Sequence, residues 1–404
     1  MSGLLDGVRV VDFTQVISGP YATYMLAQQG ADVVKLELPA GGDQSRGMMA
    51  TPGPMADAGQ TAMFLSFNSG KRSIAVDLKA PEAKEIVADL VRGADVVVEN
   101  FKAGAIDRLG FGYDWAKAIK SDIVYCSISG FGQKGPRAGA AAYDPVIQAG
   151  SGMMTLTGYE GLTGPTKVGF WVCDMATGMT AAFAVSAAVA KQRGTGEGSY
   201  IDVSMLDVGV SLISPMVTNF LNFGVQPVLS GNGSPGGSSI SSVYETADGY
   251  VQVAAATQGQ FAALARTVGR EDMLEDPRFA DRTQRIANAA DMREELLKAF
   301  AKADARTWEK RLGAAGVPAG AVLTIPQVTE EPQILERGLI QSGPAPARLP
   351  GEFRTVGAPF MTDGGRSAGL APPPTLGEHT DAVLAEIGYD AARIAALKAS
   401  RAIA

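Results

Sequence analysis

The chain has 404 residues, of which 46% are hydrophobic and 19% are charged, a composition that excludes a disordered chain and supports a large buried core. Its net charge of −7 argues against nucleic acid or an anionic membrane as a partner. The two cysteines form no disulfide framework and predict a cytoplasmic protein, and a single histidine, His379, excludes a metal site built on several imidazoles.

Apolar runs alternate with helical patterns in the first half of the chain. A helix is predicted between Pro20 and Gly30, because proline is common at helix starts and glycine just beyond helix ends, and another follows Pro81. Strands separated by helices predict an α/β fold whose large, Rossmann-like domain has a mostly parallel sheet buried on both faces. The predicted strands are VRVVDF, ADVVKLE, SIAVDL, ADVVVEN and DIVYCSISG.

Parallel sheets bind ligands at the carboxyl ends of their strands. Two polar segments directly follow predicted strands, Glu99–Asn100 and Ser129–Gly132. We therefore expect both segments to face a ligand site.

The second half of the chain changes in character. The apolar segment Met175–Ala190 is short for a membrane span and rich in alanine, so a core helix is predicted. The predicted organisation has four parts: the first part of a large domain (1–205), a linker with a glycine-rich loop (206–240), a smaller α/β domain (241–330) and a segment that returns to the large domain (331–404).

One carboxylate, Asp174, lies between the apolar segment GFWVC and this Ala-rich helix. Aspartate is a preferred helix N-cap because its side chain accepts a hydrogen bond from a free backbone amide. The local sequence alone favours that structural role, and a catalytic role stays open at this point.

Several sequence blocks, in this order and spacing, resemble the class III CoA-transferases along nearly the whole chain. The resemblance implies a CoA-transferase with a large α/β domain and a small domain, in a homodimer whose two subunits interlace. The matching blocks are LLDGVRVVDFTQVISGPYAT, GADVVKLE, FNSGKRSIAVDL, ADVVVENFKAGAIDRLGFGYD, YDPVIQAGSGMM, CDMATGM, GTGEGSYIDVSMLD, YETADGYV, VGAPF and LGEHTD.

In that family the position of Asp174 holds the nucleophile. The implied reaction moves CoA from an acyl-CoA to a free carboxylic acid through an aspartyl mixed anhydride and an aspartyl-CoA thioester, and it needs no histidine. CoA and acyl-CoA are substrates here, with no tightly bound cofactor and no metal site. We also expect the helix dipole to favour the ionised form of Asp174.

The resemblance implies two further groups of site residues. A glycine-rich loop would close over the intermediates, and this sequence departs from the family with Ser234 in that loop; its glycines are Gly231, Gly233, Gly236 and Gly237. The CoA contacts would come from Val16, Lys71, Asn100, Phe101, Arg108 and Tyr143. Ile17 and Leu38 replace a glutamine and an arginine of formyl-CoA transferase, so the contacts of those side chains are not carried over.

Two alternatives stay open. An α-methylacyl-CoA racemase would need a histidine before Asp144, where this chain has Tyr143, and a non-catalytic acyl-CoA-binding protein would not need Asp174. The hydroxyl side chains of GGSSISSVY favour a small polar acid, such as a short dicarboxylate, as the CoA acceptor.

Overall fold

A computed structural model of the chain describes residues 3–159, 161–233, 240–346, 349, 351–362, 365 and 371–404. The chain forms two compact units. Unit 1 comprises Met1–Met154, Lys167–Val225 and Pro332–Ala404, and unit 2 comprises Thr155–Thr166 and Gln226–Glu331.

The strands of the described residues belong to four sheets. They are β1 (Arg9–Asp12), β2 (Asp32–Glu37), β3 (Arg72–Ala75), β4 (Val96–Glu99), β5 (Val124–Ser129), β6 (Gly158–Tyr159), β7 (Gly164–Pro165), β8 (Ser199–Ser204), β9 (Ser242–Glu245), β10 (Tyr250–Val253), β11 (Ala319–Ala321), β12 (Ile340–Pro344) and β13 (Glu352–Val356).

The α-helices of the same residues vary from one turn to 24 residues in length. They are α1 (Ser18–Ala27), α2 (Pro54–Asp57), α3 (Ala62–Asn68), α4 (Ala83–Gly93), α5 (Ala105–Leu109), α6 (Tyr113–Ile119), α7 (Asp144–Gly150), α8 (Val172–Thr195), α9 (Met205–Leu212), α10 (Ser214–Phe223), α11 (Gln258–Thr267), α12 (Arg282–Ala287), α13 (Ala289–Phe300), α14 (Ala305–Ala314), α15 (Ile325–Thr329), α16 (Pro332–Glu336), α17 (Thr380–Glu386) and α18 (Ala391–Ala399).

Unit 1 is built on a six-stranded parallel sheet with the order β3-β2-β1-β4-β5-β8. Hydrophobic clusters cover both faces of the sheet, which explains the runs of valine and other apolar residues in its strands. The predicted α/β class and mostly parallel sheet are confirmed. The strand order reverses direction between β1 and β4, and this topological switch point is where such sheets bind ligands.

Helices α1 and α8 pack closely on one face of this sheet. A Cβ atom at Gly178 would lie 2.8 Å from the Ser18 carbonyl oxygen and 2.9 Å from the Tyr21 ring, so only glycine permits this approach. The Ala-rich segment is therefore a packed helix. By length and composition alone α8 could also cross a membrane, and 44% of its most apolar window is buried.

The edge of the sheet at β3 is covered by residues from the other end of the sequence. Val76 forms an antiparallel bridge with Ile403. The Asp77 amide donates to the Ala402 carbonyl oxygen at 2.9 Å, and the Ala404 amide donates to the Ala75 carbonyl oxygen at 3.2 Å. The chain at the end of β3 is therefore paired with residues 402–404 on its outer edge.

The predicted linker at 206–240 differs from the structure over its first half, which forms α9 and α10 of unit 1. Pro215 lies in the first turn of α10, and Gly224 ends that helix in the left-handed conformation with φ of 67°. The proline and glycine that indicated a linker are thus helix-start and helix-stop residues.

Unit 2 contains a three-stranded antiparallel sheet of order β11-β10-β9. Its core packs this sheet with α11, α13 and α14 around Phe261, Phe300 and Trp308. The Thr257 side chain accepts from the Gln260 amide in a capping box that starts α11. Unit 2 is therefore a small α/β unit with its own core.

Candidate active site

A cavity of about 420 Å³ lies at the switch point of the unit 1 sheet. The loops after β1, β4 and β5 and the start of α8 contribute to its wall, as expected for a parallel sheet. It is lined by residues 15–18, 100–102, 128–130, 138 and 140–143, together with Gln44, Asp174 and Met205. Of the two segments predicted to face a site, Asn100, Ser129 and Gly130 do so.

Asp174 lies on this wall as the third residue of α8. It is not the N-cap of the helix, because Trp171 occupies that position and makes no side-chain capping bond. The carboxyl group is therefore not used by the cap and is presented to the cavity.

The capping function belongs to Asp144, the first residue of α7, which is only 1% exposed. Its Oδ2 atom accepts hydrogen bonds from the amides of Cys173 at 2.7 Å and Asp174 at 3.0 Å. Its Oδ1 atom accepts from Gln148 Nε2 at 2.5 Å. The sequence alone predicts no role for Asp144, whose one signal is its place in the block YDPVIQAG.

These contacts reverse the expected electrostatics of Asp174. Burial, and then the charge of Asp144, raise the pKa of Asp174 to about 7, although a hydrogen bond from Ser18 lowers it. The helix amides expected to stabilise the Asp174 anion are bound by Asp144 instead. The pKa of Asp174 therefore lies above its usual range, contrary to the expectation that the site favours its ionised form.

The loop after β1 also lines the site and contains Val16, a β-branched residue with φ of 72°. The Gln15 amide donates to Asn100 Oδ1 at 2.8 Å, and Asn100 Nδ2 donates to the Gln15 carbonyl oxygen at 2.7 Å. Asn100 thus joins the loops after β1 and β4 across the switch point. Val16, Asn100, Phe101 and Tyr143 all line the cavity, where the sequence analysis expected CoA contacts.

Two of the predicted CoA contacts, Lys71 and Arg108, do not line the cavity. Lys71 is buried: its ammonium group donates to Asp12 at 3.1 Å and to the Pro20 carbonyl oxygen at 3.0 Å. Burial lowers the pKa of Lys71 to about 8. Arg108 is exposed on α5. In the described part of the chain, the basic side chain on the cavity wall is Lys102, for which the sequence predicts no role.

Comparisons with known proteins identify the family. The model of CoA-transferase family III matches residues 5–380. The chain belongs to CoA-transferase family III. CoA-transferases use CoA thioesters as substrates.

Curated relatives of this transferase align along nearly their full length. The succinate–glutarate CoA-transferase of Agrobacterium fabrum is 36% identical, with 95% of each chain covered. The succinyl-CoA:glutarate CoA-transferase of Homo sapiens is 32% identical, with 95% of this chain and 86% of that protein covered. A solved structure of a CaiB/BaiF family protein from Brucella suis superposes with a TM-score of 0.85 and 33% identity, covering 96% of this chain and 100% of the other.

The glycine-rich loop of the transferase belongs to unit 2, and the structure describes two of its four predicted glycines. Gly231 has φ of 53°, and a Cβ atom there would lie 2.2 Å from the Tyr159 ring, so only glycine fits. Gly233, whose amide donates to the Ser230 carbonyl oxygen at 2.8 Å, is not in the left-handed region. Gly236, Gly237 and Ser234 lie outside the described residues, and the role of this loop stays a prediction.

Two other residues of the transferase, Cys173 and His379, could act as a nucleophile or a base, but neither side chain lines the cavity. Cys173, next to Asp174, is fully buried, and burial raises the pKa of its thiol to about 12. His379 accepts a hydrogen bond at Nδ1 from the Ser73 amide at 3.3 Å and does not line the cavity. Among the residues that the structure describes, Asp174 is thus the carboxyl group on the cavity wall.

Proposed function

We propose that this transferase moves CoA from an acyl-CoA to a free small dicarboxylic acid, with Asp174 as the covalent nucleophile. The observation that carries the proposal is the Asp174 carboxyl group, uncommitted to helix capping and placed in a cavity at the switch point. The dicarboxylate class is supported by the names of relatives, among them a succinyl-CoA:mesaconate CoA-transferase of Haloarcula hispanica, 37% identical.

The chemistry proceeds by exchange of anionic leaving groups. The Asp174 carboxylate attacks the thioester carbonyl carbon and the C–S bond breaks. CoA leaves as thiolate, and the acyl group stays on Asp174 as a mixed anhydride. The thiolate then attacks the Asp174 carbonyl carbon, which releases the donor acid as carboxylate and forms an aspartyl-CoA thioester. The acceptor carboxylate repeats these steps in reverse and regenerates Asp174. No net proton transfer is required, which agrees with a cavity wall that lacks histidine.

The racemase alternative lacks the histidine that such enzymes use as a base. Abstraction of an α-proton requires a group that accepts a proton within hydrogen-bonding distance of the substrate carbon. Tyr143 occupies the position where the racemase needs histidine, and His379 is bonded to the β3 strand. The cavity therefore supports group transfer rather than racemisation.

The remaining features of the proposal concern assembly and environment. The transferase functions as an interlaced homodimer in the cytoplasm and keeps no tightly bound cofactor. The apolar surface of α10 supports a dimer, because Phe220, Leu221 and Phe223 are 50%, 73% and 77% exposed in the single chain.

Trapping of the intermediate tests the nucleophile. After incubation with succinyl-CoA and hydroxylamine, mass spectrometry is expected to find a hydroxamate on Asp174, because both the anhydride and the thioester are activated carbonyls. Transfer of CoA is then measured with three acceptor acids: glutarate and mesaconate, which have two carboxylates, and butyrate, which has one. A modification on Cys173 instead of Asp174 would contradict the proposal.

The pH dependence tests the ionisation of Asp174. Because its pKa is raised to about 7 and the carboxylate is the attacking form, kcat/KM for acyl-CoA is expected to rise with pH through a transition near 7 and level off above it. Burial also raises the pKa of Glu99 to about 7, and His379 is the single histidine. The variants Glu99→Gln and His379→Gln should therefore retain the transition; its loss in either one would reassign it.

A further inference from the structure

Three consecutive residues of the loop after β1 are held by side chains from elsewhere in unit 1. The Thr14 carbonyl oxygen accepts from Lys35 Nζ at 2.5 Å, and both polar groups of the Gln15 backbone are bound by Asn100. The Val16 amide donates to Asp43 Oδ1 at 3.1 Å. The backbone of the loop that lines the cavity is therefore held by side chains from other parts of unit 1.

Val16 needs such support. Its φ of 72° is left-handed, and the β-branched side chain makes that region sterically unfavourable. A residue in such a conformation persists only where its surroundings impose it, and such residues concentrate at functional sites. Val16 also lines the cavity, so relaxation of its backbone would change the cavity wall.

Asp43 and Lys35 form a buried ion pair beneath this loop. Lys35 Nζ lies 2.8 Å from Asp43 Oδ2, and both side chains are completely buried. The other oxygen of Asp43 accepts from the Ser45 amide and hydroxyl, both at 2.8 Å, as well as from Val16. Burial would raise the pKa of Asp43, but Lys35 and these backbone donors lower it to about 2, so the carboxylate is charged at all working pH values.

A buried ion pair is weak evidence for stability, because its desolvation offsets much of its attraction. Here each member of the pair also binds the loop, Lys35 at Thr14 and Asp43 at Val16. We propose that the Lys35–Asp43 pair is a positioning device, which holds Val16 in its left-handed conformation and so preserves the CoA-binding wall of the cavity. This inference rests on the proposed function, since it assigns CoA binding to the Val16 loop.

The test is a double-mutant cycle read as the KM for succinyl-CoA with saturating glutarate. Asp43→Leu removes the acceptor of the Val16 amide and is expected to raise this KM about tenfold. That factor is the change in an equilibrium constant that corresponds to the conformational free energy of a left-handed residue. Glycine adopts positive φ without that penalty. In a Val16→Gly background the same substitution is therefore expected to raise KM about twofold or less.

Thr380→Val is the matched control. The buried Thr380 hydroxyl accepts from the Ala75 amide at 3.1 Å, so this near-isosteric change also leaves one backbone amide unpaired, but away from the cavity wall. It should lower the melting temperature and leave KM unchanged. If Asp43→Leu does not fold, Asp43→Asn replaces it in the cycle, with a smaller increase in KM because the amide oxygen still accepts from Val16.

The outcomes separate the two proposals. Equal increases in KM in both Val16 backgrounds, or an Asp43 variant that behaves like Thr380→Val, would overturn the positioning device while wild-type transfer upholds the proposed function. A wild-type protein that transfers CoA to none of the tested acids would overturn the proposed function, and the positioning device with it.

Discussion

Replacing Asp174 with asparagine is expected to lower kcat for CoA transfer by at least about 10³-fold, because the covalent route is lost when the nucleophile is removed. The amide is nearly isosteric and stays neutral. Folding should not suffer, since the raised pKa of Asp174 shows that the native site disfavours its charged form. Between about pH 4 and 7 the native state binds the extra proton, so wild-type stability falls as pH rises, and the variant should not share this loss.

Asp207→Asn is the matched control for this measurement. Asp207 is also the third residue of its helix, α9, but it is exposed and does not line the cavity. The control should transfer CoA at the wild-type rate. Transfer by Asp174→Asn at a substantial fraction of the wild-type kcat, with deamidation excluded by mass spectrometry, would show that another group is the nucleophile.

Asp144 should give the second-largest effect, and two substitutions separate its roles. Asp144→Ala leaves the buried amides of Cys173 and Asp174 unpaired, which should destabilise the fold by roughly 2–4 kcal/mol. The start of α8 should also shift, and misplacing a nucleophile by about 1 Å lowers kcat about 10²-fold. Asp144→Asn keeps an oxygen that can accept from both amides, so stability and kcat should suffer less.

The charge of Asp144 is tested by the pH profile of the asparagine variant. Removal of a negative charge next to Asp174 favours its ionisation, so the transition in kcat/KM should move to lower pH than in the wild type. Melting temperatures and pH profiles of both variants check these expectations. A transition that stays in place in Asp144→Asn would mean that burial alone raises the pKa of Asp174.

Much of the large sheet could be predicted from the sequence, because strands buried on both faces are rich in apolar residues. The strand patterns of VRVVDF and ADVVKLE match β1 and β2 closely. The helix α10 was missed because Pro215 and Gly224 indicate loops and helix ends equally well. Whether Pro215 and Gly224 bound a helix or lie in a loop depends on the residues between them and on tertiary packing, and local composition does not reveal which.

Site residues whose position follows from the strand order could be predicted from the sequence. Site residues whose position depends on side-chain partners distant in sequence could not. Asn100 lines the cavity because it directly follows β4 at the switch point, which strand order explains. Lys71 could not be placed from its local sequence, since its partner Asp12 is on another strand. The same holds for Asp144, whose role exists only because α7 meets the start of α8 in the folded chain.

The covered edge of the large sheet has a consequence for biosynthesis. Strand β3 is an outer strand, and residues 402–404 bond to the chain just beyond it. His379 and Thr380 bond to β3 itself, so during translation this edge stays uncovered until the segment from His379 onward leaves the ribosome, after all of unit 2 has been made. An open strand edge is a template for pairing with other chains. The nascent protein is therefore exposed to aggregation from the synthesis of β3 until unit 2 is complete, a period in which chaperones that bind extended chain would act.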